Sequence, residues 1–465
     1  MNPTTLQHLH NAIGGQLCPA VGAAPNGADV VLGPIATDSR QVEPGQVFWA
    51  LEGTRRNGVD FVDDAFQRGA GGAVVSRPVD VPEGRWAVVV DDTRSALWQW
   101  AERRRDEFHG VVIAVTGSVG KTTTRQMIDT ILRSRLRGTA SLRNYNNHLG
   151  VPLSMAAIEP DHDYAVLELG ASQPGEVAEL AELCQPRIGV ITQVGDAHLG
   201  TFGSHRVIAA SKAELLAALP EDGHAVLGDD PWLRQIVHRG TASVTWVGED
   251  EHCELAAQQV HAHDGQLSFD IDGRHFTLPV WGRHHLTAAL AAIGVGRLLG
   301  FSLEEMVDVL EDFQPVPMRC EVIQARGATV INDTYNANPT AMRAALALLA
   351  DVETTGRRIV VLGEMAELGP ESDRLHRELG EQTVTLGRAD LLIACGPSAR
   401  CIVEGAREAG VDPAHAIACN DWEQTLPHLG QAIVPGDVVL VKGSRVMQME
   451  RVVDALEHYP LRRSA

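Results

Sequence analysis

The sequence predicts an α/β protein of three domains, with a doubly wound, mostly parallel sheet in its central domain. Apolar segments of strand length alternate with helical stretches through the middle and last parts of the chain, a pattern typical of parallel sheets. Residues 110–136 read as strand, glycine turn and helix, and the proline-rich segment "QPVPMR" at 314–319 separates two such regions. We therefore predict domains at residues 1–108, 109–314 and 315–465.

Each predicted domain has its own set of elements. The first contains the short strands "VFWALEG", "GGAVVS" and "RWAVVVDD" and the helices "FVDDAFQRGA" and "SALWQWAERRRDEF". The second contains the strands "GVVIAVTG", "DYAVLELG", "RIGVITQVG" and "GHAVLGD", then a small antiparallel patch over 243–280 and the helix "LTAALAAIGVGRLLG". The third alternates helices with the strands "RRIVVLG", "ADLLIACG" and "GDVVLVKGS". It therefore reads as a second open α/β domain.

Composition narrows the classes of function. The chain has 465 residues and a formal net charge of −21, which disfavours a nucleic-acid partner because such proteins need a basic surface. No apolar run reaches the roughly 20 residues of a membrane span, and the start lacks a signal-peptide pattern. Seven scattered cysteines without a C-x-x-C pair argue against a disulfide framework or a zinc site. We expect a cytoplasmic protein.

The segment "VTGSVGKTTTRQ" at 115–126 predicts a phosphate-binding loop. Backbone N–H groups and the helix dipole favour an anion where a glycine turn opens a helix. Lys121 would reach the β- and γ-phosphates and Thr122 would offer its hydroxyl to Mg²⁺. Val115 stands where the usual G-x-x-x-x-G-K-[ST] loop has its first glycine, and a glycine turn with an incidental lysine is the alternative. The residues expected at the nucleotide are Thr116, Gly117, Ser118, Val119, Gly120, Lys121, Thr122 and Thr123.

Two further strands end in side chains that suit a metal site. Glu168 ends the buried strand of "AVLELGAS", and "RIGVITQVGDAHLG" brings His198 to the end of the next strand. Ligands of open α/β sheets bind outside the carboxyl ends of the strands. We therefore expect Glu168 to bind Mg²⁺ and His198 to lie beside it; a surface carboxylate and a structural histidine are the alternatives.

Lys212 lies on the apolar stripe of the predicted helix "HRVIAASKAELLAALP". Ile208, Lys212, Leu215 and Leu219 follow helical spacing, and a lysine facing a core is costly unless it is paired or its charge is altered. It could snorkel, pair with Glu214 or another carboxylate, or be carbamylated by CO₂. Carbamylation would turn a cation into a carboxylate able to bind a second Mg²⁺, and the sequence leaves these alternatives open.

The third domain presents a polar rim toward a nucleotide. A strand is predicted to end at Ile331, and the turn Asn332–Asn336 precedes a helix near Pro339. Arg319 offers a clamp for the γ-phosphate, and Asp333 offers a carboxylate for ribose hydroxyls. Such turns can also be purely structural, because Asn and Asp side chains bond their own backbone.

Taken together, these motifs resemble the Mur ligase family over essentially the whole chain. The resemblance rests on "DSRQVEPGQVFWALEG", "TGSVGKTTT", "NYNNHLGVPLS", "LELGASQPGE", "DAHLGTFGS", "KAELLAALP", "NDTYNANP", "VLGEMAELG" and "VKGSR". In this family the phosphate loop lacks the first glycine. The resemblance implies a three-domain architecture with a central P-loop sheet and a C-terminal Rossmann-like domain. The motif "NDTYNANP" together with "TGSVGKT" is similar to that of the members that add D-Ala-D-Ala.

The resemblance implies an ATP-dependent, amide-forming ligase. ATP would phosphorylate the terminal carboxylate of UDP-N-acetylmuramoyl-tripeptide, and the amine of D-Ala-D-Ala would attack the acyl phosphate. Such a protein serves peptidoglycan synthesis and thereby cell-wall biogenesis, cell shape and cell division; a monomer is expected. The roles implied are catalysis by Lys121, His198 and Lys212, Mg²⁺ binding by Thr122, Glu168, His198 and Lys212, ATP binding by Arg319 and Asp333, and contact with the UDP-sugar by Ser39 and Arg40.

A few positions depart from the family pattern. His285 and Ala288 stand where the family usually carries asparagines that contact the nucleotide, which bears on adenine recognition. Other departures are Gly228, Ala341 and Glu364. The phosphate and metal residues are intact, so catalysis is expected. The alternatives are a Mur-type amide ligase with another acceptor, such as a folate or cyanophycin-type substrate, and a catalytically weak paralogue.

Overall fold

The computed structural model describes residues 4–18, 30–53, 56–142 and 144–458. Their chain divides into two compact units. The first unit comprises the described residues of Met1–Ala114, Leu136–Leu169 and Glu179–Pro186, and the second those of Val115–Arg135, Gly170–Ala178 and Arg187–Ala465. In the part of the chain that is described, no helix is long and apolar enough to cross a membrane.

The first unit contains a five-stranded sheet in the order β1-β5-β4-β3-β2. Its strands are β1 (Gln16–Leu17), β2 (Ile35–Ala36), β3 (Val47–Trp49), β4 (Gly72–Val75) and β5 (Trp86–Val89). Only β1 runs antiparallel to its neighbour among these pairs. Its helices are α1 (Leu6–Ile13), α2 (Val62–Gln67) and α3 (Thr93–Glu107).

Helix α3 shows why these elements form where they do. The carboxylate of Asp92 accepts hydrogen bonds from the backbone N–H groups of Arg94 and Ser95, which satisfies donors that the first helical turn leaves free. The indole Nε1 of Trp49 donates to the Thr93 carbonyl at 2.7 Å. A fully buried aromatic ring thus keeps its polar atom paired and ties β3 to the start of α3.

The predicted strand, glycine turn and helix are confirmed as β6 (Val111–Thr116) and α4 (Lys121–Arg133). The chain then returns to the first unit, which also contains β7 (Gly138–Ala140), α5 (Gly150–Ala156) and β8 (Tyr164–Glu168). Strands β7 and β8 pair in parallel, and β8 is buried along its whole length. The helix α6 (Glu176–Cys184) comes next in the chain.

The second unit contains four neighbouring parallel strands, β9 (Ile188–Ile191), β10 (His224–Gly228), β11 (Ser243–Gly248) and β12 (Leu255–Ala256). The antiparallel patch predicted for 243–280 is therefore only partly right. The chain leaves β10, passes through the helix at 231–236 and reaches residues 243–248, which pair in parallel with β10. Such a helical crossover normally joins parallel strands. The antiparallel part is confined to β13 (Gln258–His263), β14 (Gln266–Ile271) and β15 (Arg274–Leu278).

Six helices accompany these strands: α7 (Leu199–Phe202), α8 (His205–Lys212), α9 (Glu214–Ala218), α10 (Pro231–Ile236), α11 (Leu286–Leu298) and α12 (Leu303–Glu311). The helix predicted between Ser204 and Pro220 is interrupted at Ala213. Its apolar stripe is nevertheless confirmed, because Ile208, Lys212 and Leu215 are all buried.

The last part of the second unit is a six-stranded sheet in the order β16-β17-β21-β18-β19-β20. Its strands are β16 (Glu321–Ala325), β17 (Ala328–Asp333), β18 (Arg358–Leu362), β19 (Leu391–Cys395), β20 (Ala416–Cys419) and β21 (Val438–Lys442), and its helices are α13 (Pro339–Asp351), α14 (Ser372–Thr385), α15 (Ala399–Glu408), α16 (Thr425–Ala432) and α17 (Glu450–His458). Successive residues of β18 pack into different apolar clusters on the two faces of the sheet, as expected for a strand covered on both sides. The α/β class and the parallel sheets are thus confirmed. Strand β17 runs two residues past the predicted end, to Asp333.

Candidate active site

The phosphate loop connects β6 to α4, and residues 192–195 hold it in place. The Ser118 N–H donates to the Gln193 carbonyl at 2.8 Å, and the Ser118 hydroxyl donates to the Gly195 carbonyl at 3.1 Å. Gly117 has a φ of +144°, and a Cβ there would lie 2.0 Å from Oγ1 of Thr192. The glycine is therefore required both by the backbone conformation and by this close approach.

Thr192 is a loop-positioning residue that the sequence did not reveal. Its hydroxyl donates to the Val119 carbonyl at 2.6 Å, and its N–H donates to the Thr116 carbonyl at 3.0 Å. Thr192 thus contacts both ends of the phosphate loop from the carboxyl end of β9. A threonine after an apolar strand is too common to signal such a role, which depends on the pairing of distant strands.

Replacing Thr192 by valine is expected to weaken ATP binding about tenfold, since one buried hydrogen bond contributes about 1–1.5 kcal/mol. The change leaves the Val119 carbonyl without its partner while keeping the side-chain volume. Calorimetric titration with ATP measures the effect. Thr192→Ser, which keeps the hydroxyl, should bind nearly as well as the wild type; equal affinity in the valine variant would refute the role.

Lys121, Thr122 and Arg319 meet at the start of α4. The Lys121 ammonium donates to the Gly117 carbonyl at 2.6 Å. The Arg319 guanidinium donates to Oγ1 of Thr122 at 2.9 Å and stacks over the Tyr335 ring, with 4.1 Å between Cζ and the ring centroid. Two cations and a helix N-terminus thus converge on one place, an arrangement suited to a polyphosphate.

Lys212 is buried, with 2% of its surface exposed, so it does not snorkel. Its ammonium lies 5.7 Å from the Phe202 ring centroid, and it makes no ion pair with any described residue. The carboxylate of Glu214, one predicted partner, instead accepts hydrogen bonds from the N–H groups of Gly175 and Ala178. Burial, and then the charge of Lys121, lower the pKa of Lys212 to about 7. A substantial fraction of this amine is therefore neutral near neutral pH.

This shift predicts a pH-dependent stability. An amine with a pKa near 10.4 in the unfolded chain and about 7 in the folded chain destabilises the fold progressively as pH falls from 10 to 7, and fully below 7. Lys212→Met should therefore raise the free energy of unfolding by roughly a few kcal/mol at pH 6 and much less at pH 10. Urea unfolding at both pH values measures this; an equal effect at both would contradict the shift.

His198 precedes α7 in a left-handed conformation, with a φ of +55°. Its Nδ1 is hydrogen-bonded to the carboxylate of Glu367, and the Glu367 carbonyl accepts the Gly200 N–H at 3.0 Å. A partner on Nδ1 orients the ring and leaves Nε2 for a ligand. Burial lowers the pKa of His198, and Glu367 opposes that shift. The charges of Lys121 and Lys212 also act on this imidazole, so the structure brings these three predicted residues together.

Asp196 joins the segment after β9 to helix α13. Its carboxylate accepts hydrogen bonds from Nε2 of His205 at 2.7 Å, from the Thr340 hydroxyl at 2.8 Å and from the Arg343 guanidinium at 2.7 Å. Burial raises the pKa of Asp196, but the hydrogen bonds from Arg343 and Thr340 outweigh it, and the pKa lies below its usual value. This network was not predicted from the sequence, because its members are 144 and 147 residues apart in the chain.

Asp333 lies at the end of β17 and pairs with the buried Lys442. The Lys442 ammonium contacts the Asp333 carboxylate at 2.5 Å and donates to the Asn336 carbonyl at 2.9 Å. Lys442 was not among the predicted site residues, although the composition of the chain gave a signal for it. The chain contains only three lysines, Lys121, Lys212 and Lys442, among 39 basic residues. The chain otherwise uses arginine as its basic residue. Each lysine therefore indicates a position where a guanidinium would not replace an ammonium.

His284, His285 and Cys320 lie next to Asp333 and Arg319. Nε2 of His284 is 3.5 Å from the Cys320 thiol, and the two imidazole centroids are 4.2 Å apart. Burial, and then the neighbouring His284, lower the pKa of His285 well below its usual value. Burial, and then the Asp333 carboxylate, raise the pKa of the Cys320 thiol. The His285 imidazole is therefore neutral and the thiol protonated at neutral pH.

The remaining predicted residues belong to the first unit. Ser39 is buried, and Arg40 pairs with the Asp38 carboxylate through Nε at 2.9 Å and Nη2 at 2.7 Å. Glu168 is buried and accepts a hydrogen bond from Nδ2 of Asn146 at 2.8 Å. Its place in a metal site with Thr122, His198 and Lys212 stays a prediction. A depression of about 590 Å³ in this unit, lined by Arg94, Ser95, Trp98, Gln99, Glu102, His148 and Glu179, contains none of the predicted site residues.

Comparison with known proteins gives three family models that match successive parts of the chain. They are the Mur ligase family, catalytic domain, over residues 34–105, the Mur ligase middle domain over 115–296 and the Mur ligase, glutamate ligase domain, over 318–445. The phosphate loop, Glu168, His198 and Lys212 fall within the match to the middle domain. Arg319, Asp333 and Lys442 fall in the last.

Individual relatives match the chain over nearly its whole length. The UDP-N-acetylmuramoyl-tripeptide–D-alanyl-D-alanine ligases of Bacillus subtilis and Escherichia coli are each 34% identical to it, over 98% of this chain and 99% of theirs. A crystal structure of MurF from Acinetobacter baumannii has a TM-score of 0.83 at 32% identity, covering 98% of this chain and 99% of that one. The MurF ligase of Thermotoga maritima in complex with ADP has a TM-score of 0.77 at 30% identity, covering 92% and 97%.

Proposed function

Because the chain belongs to the Mur ligase family, we propose that it joins D-alanyl-D-alanine to UDP-N-acetylmuramoyl-tripeptide at the expense of ATP. The observation that carries this proposal is the end-to-end similarity to two ligases of that name. Supporting it are the phosphate loop and the cations that converge on it. The reaction belongs to peptidoglycan precursor synthesis in the cytoplasm, and the protein acts as a monomer with three domains at residues 1–108, 109–314 and 315–465.

The chemistry requires an activated carboxylate. A carboxylate is a poor electrophile, so its oxygen attacks the γ-phosphorus of ATP, ADP leaves and an acyl phosphate forms. The amine of D-Ala-D-Ala then attacks the acyl carbon, and the tetrahedral intermediate collapses to an amide and inorganic phosphate. Lys121 and Arg319 offset the negative charge that accumulates during phosphoryl transfer. The N-terminus of α4 binds the nucleotide phosphates through backbone N–H groups.

Some of the proposed ligands are oxygen atoms, which suit Mg²⁺. Mg²⁺ prefers oxygen ligands and keeps several waters, and Thr122 and Glu168 offer a hydroxyl and a carboxylate. When bound, the ion neutralises phosphate charge. His198, oriented by Glu367, offers Nε2 as a further ligand. Lys212 joins the set only as its carbamate, since an ammonium or a neutral amine suits Mg²⁺ poorly.

We infer that Lys212 is carbamylated, and its surroundings support this inference. A neutral amine attacks CO₂ to give a carbamate and releases one proton to solvent. Lys212 meets the requirement of neutrality, since its pKa is about 7. Its lack of an ion pair within the described residues removes one competing role for the amine. The carbamate would bring a negative charge to a place otherwise bordered by Lys121.

Among the contacts that hold the nucleotide-binding part of the second unit to its six-stranded part, three lie near the phosphate loop or the end of β9. They are the Arg319 bond to Thr122, the His198 bond to Glu367 and the Asp196 network with Thr340 and Arg343. Each contact uses a residue close to the phosphate loop or to the end of β9. We infer that these contacts position Arg319 and Asp333 for ATP, and that they help to exclude water from the acyl phosphate.

An assay of ADP release tests the proposal. Purified protein with Mg²⁺, ATP and UDP-N-acetylmuramoyl-tripeptide should release ADP over many turnovers only when D-Ala-D-Ala is also present, and mass spectrometry should detect the pentapeptide product. Omission of each component in turn is the control. Turnover with a different acceptor would favour a ligase of other specificity. Tight ATP binding without turnover would indicate a catalytically weak paralogue.

A further inference from the structure

His284, His285 and Cys320 form a cluster that the ligase mechanism does not use. Their ligating atoms all lie within 4.8 Å of one another. They come from two places in the chain, the turn before α11 and the segment before β16, so no C-x-x-C or similar spacing announces them. We propose that these three side chains form a binding site for one divalent transition-metal ion of the Zn²⁺ class.

The distances suit such an ion. With Zn–S near 2.3 Å and Zn–N near 2.0–2.1 Å, two ligands in a tetrahedral site stand about 3.6 Å apart. Nε2 of His284 and Sγ of Cys320 are 3.5 Å apart. One ligating atom of His285 lies within 4.8 Å of those of His284 and Cys320, so the three residues form a triangle of ligands. The fourth position remains for water.

The backbone holds the ligands in place. Gly282 has a φ of +98°, and a Cβ there would lie 2.6 Å from Nδ1 of His284, so the chain presses against one side of that ring while Nε2 faces Cys320. Met318 and Cys320 also have positive φ values, +58° and +53°. Such conformations are costly for residues other than glycine and persist where the surroundings enforce them.

The polar surroundings also favour a ligand. His285 is 8% exposed, and its imidazole makes no hydrogen bond to any described residue. The Asp333 carboxylate accepts a hydrogen bond from the Cys320 thiol and is itself fixed by Lys442; the bond to Cys320 is given up when the thiol binds a metal as the thiolate. His284 is exposed to solvent, so an ion has a path of entry.

The ligand types select against Mg²⁺. A thiolate with two imidazoles is typical of Zn²⁺ and Co²⁺ sites, whereas Mg²⁺ prefers oxygen. Binding converts the Cys320 thiol to a thiolate and releases its proton to solvent. The site is therefore separate from the proposed Mg²⁺ ligands, and it does not depend on the ligase activity.

Titration of the full-length, chelator-treated protein with Co²⁺, without nucleotide, tests the proposal. We expect one equivalent to bind with a thiolate-to-cobalt charge-transfer band in the near ultraviolet. Zn²⁺ should displace it, and excess Mg²⁺ should not. Cys320→Ser should abolish the band and weaken Zn²⁺ binding at least about 100-fold, more than typical losses from second-layer residues. Cys401→Ser, which removes a half-buried thiol elsewhere, is the matched control and should leave the band unchanged.

Circular dichroism shows whether the serine variant folds. If it does not, His285→Asn provides a second test of the site. It should keep the thiolate band but weaken Co²⁺ binding at least about tenfold. Absence of a charge-transfer band in the wild type, or an undiminished band in Cys320→Ser, would overturn the proposal. Because the titration contains no ATP or peptide, its failure says nothing about the ligase, and a failed ligase assay says nothing about the metal.

Discussion

Replacing Lys121 by alanine is expected to lower kcat/KM for ATP-dependent ligation by at least 10²- to 10³-fold, the range found when one preorganised charge is removed from a transition state. The ammonium lies at the first residue of α4, where it contacts the loop carbonyl of Gly117. Its loss leaves the phosphates to backbone N–H groups and Arg319. Initial rates of ADP release measure the effect.

A conservative variant separates catalysis from folding. Lys121→Arg keeps the charge, but its planar guanidinium does not reproduce the compact ammonium of a phosphate loop, so it should remain severely impaired. Arg326→Ala, far along the chain and bonded to the Leu456 carbonyl, is a control for the general loss of a cation. Wild-type rates in Lys121→Ala would exclude the phosphate-loop role.

Lys212→Ala is expected to lose activity by a similar factor and to regain part of it with a small carboxylic acid such as formate or acetate. Removing the side chain leaves a cavity beside Phe202, and a carboxylate bound there would stand in for the carbamate. Lys212→Arg cannot be carbamylated and fills the cavity, so it should be inactive and should not respond to the acid. ADP release with and without acid gives the comparison.

The small number of lysines allows a direct test of the same modification. With only Lys121, Lys212 and Lys442 in the chain, a carbamate resonance from ¹³C-labelled bicarbonate is readily assigned by its loss in Lys212→Ala. The resonance should be present in the wild type and absent from that variant. A resonance that persists in the variant, together with an absence of acid rescue, would show that Lys212 acts in another way.

Local sequence patterns predicted the strand, glycine turn and helix of the phosphate loop and the buried stripe that includes Lys212, because these follow from periodicity and turn residues. The roles given to the side chains at the strand ends stay predictions. The α/β class followed from the same alternation. These features depend on neighbours close in sequence, or on an edge shared by many strands.

The features that were missed depend on long-range pairing. Thr192 supports the loop only because its strand end comes to lie beside it. Asp196 meets Arg343 across 147 positions, and Cys320 meets His284 across 36. The strand at 243–248 was assigned to an antiparallel patch because short alternating segments do not show the direction of their partners. Only the folded chain supplies such information.

Transfer of oxygen from substrate to phosphate tests the central claim most directly. UDP-N-acetylmuramoyl-tripeptide labelled with ¹⁸O in its terminal carboxylate should be incubated with the protein, Mg²⁺, ATP and D-Ala-D-Ala, and the inorganic phosphate analysed by mass spectrometry. An acyl phosphate requires one labelled oxygen to leave with each phosphate, because the carboxylate oxygen that attacks the γ-phosphorus departs when the amide forms. Phosphate without label, alongside formation of the pentapeptide, would contradict the mechanism.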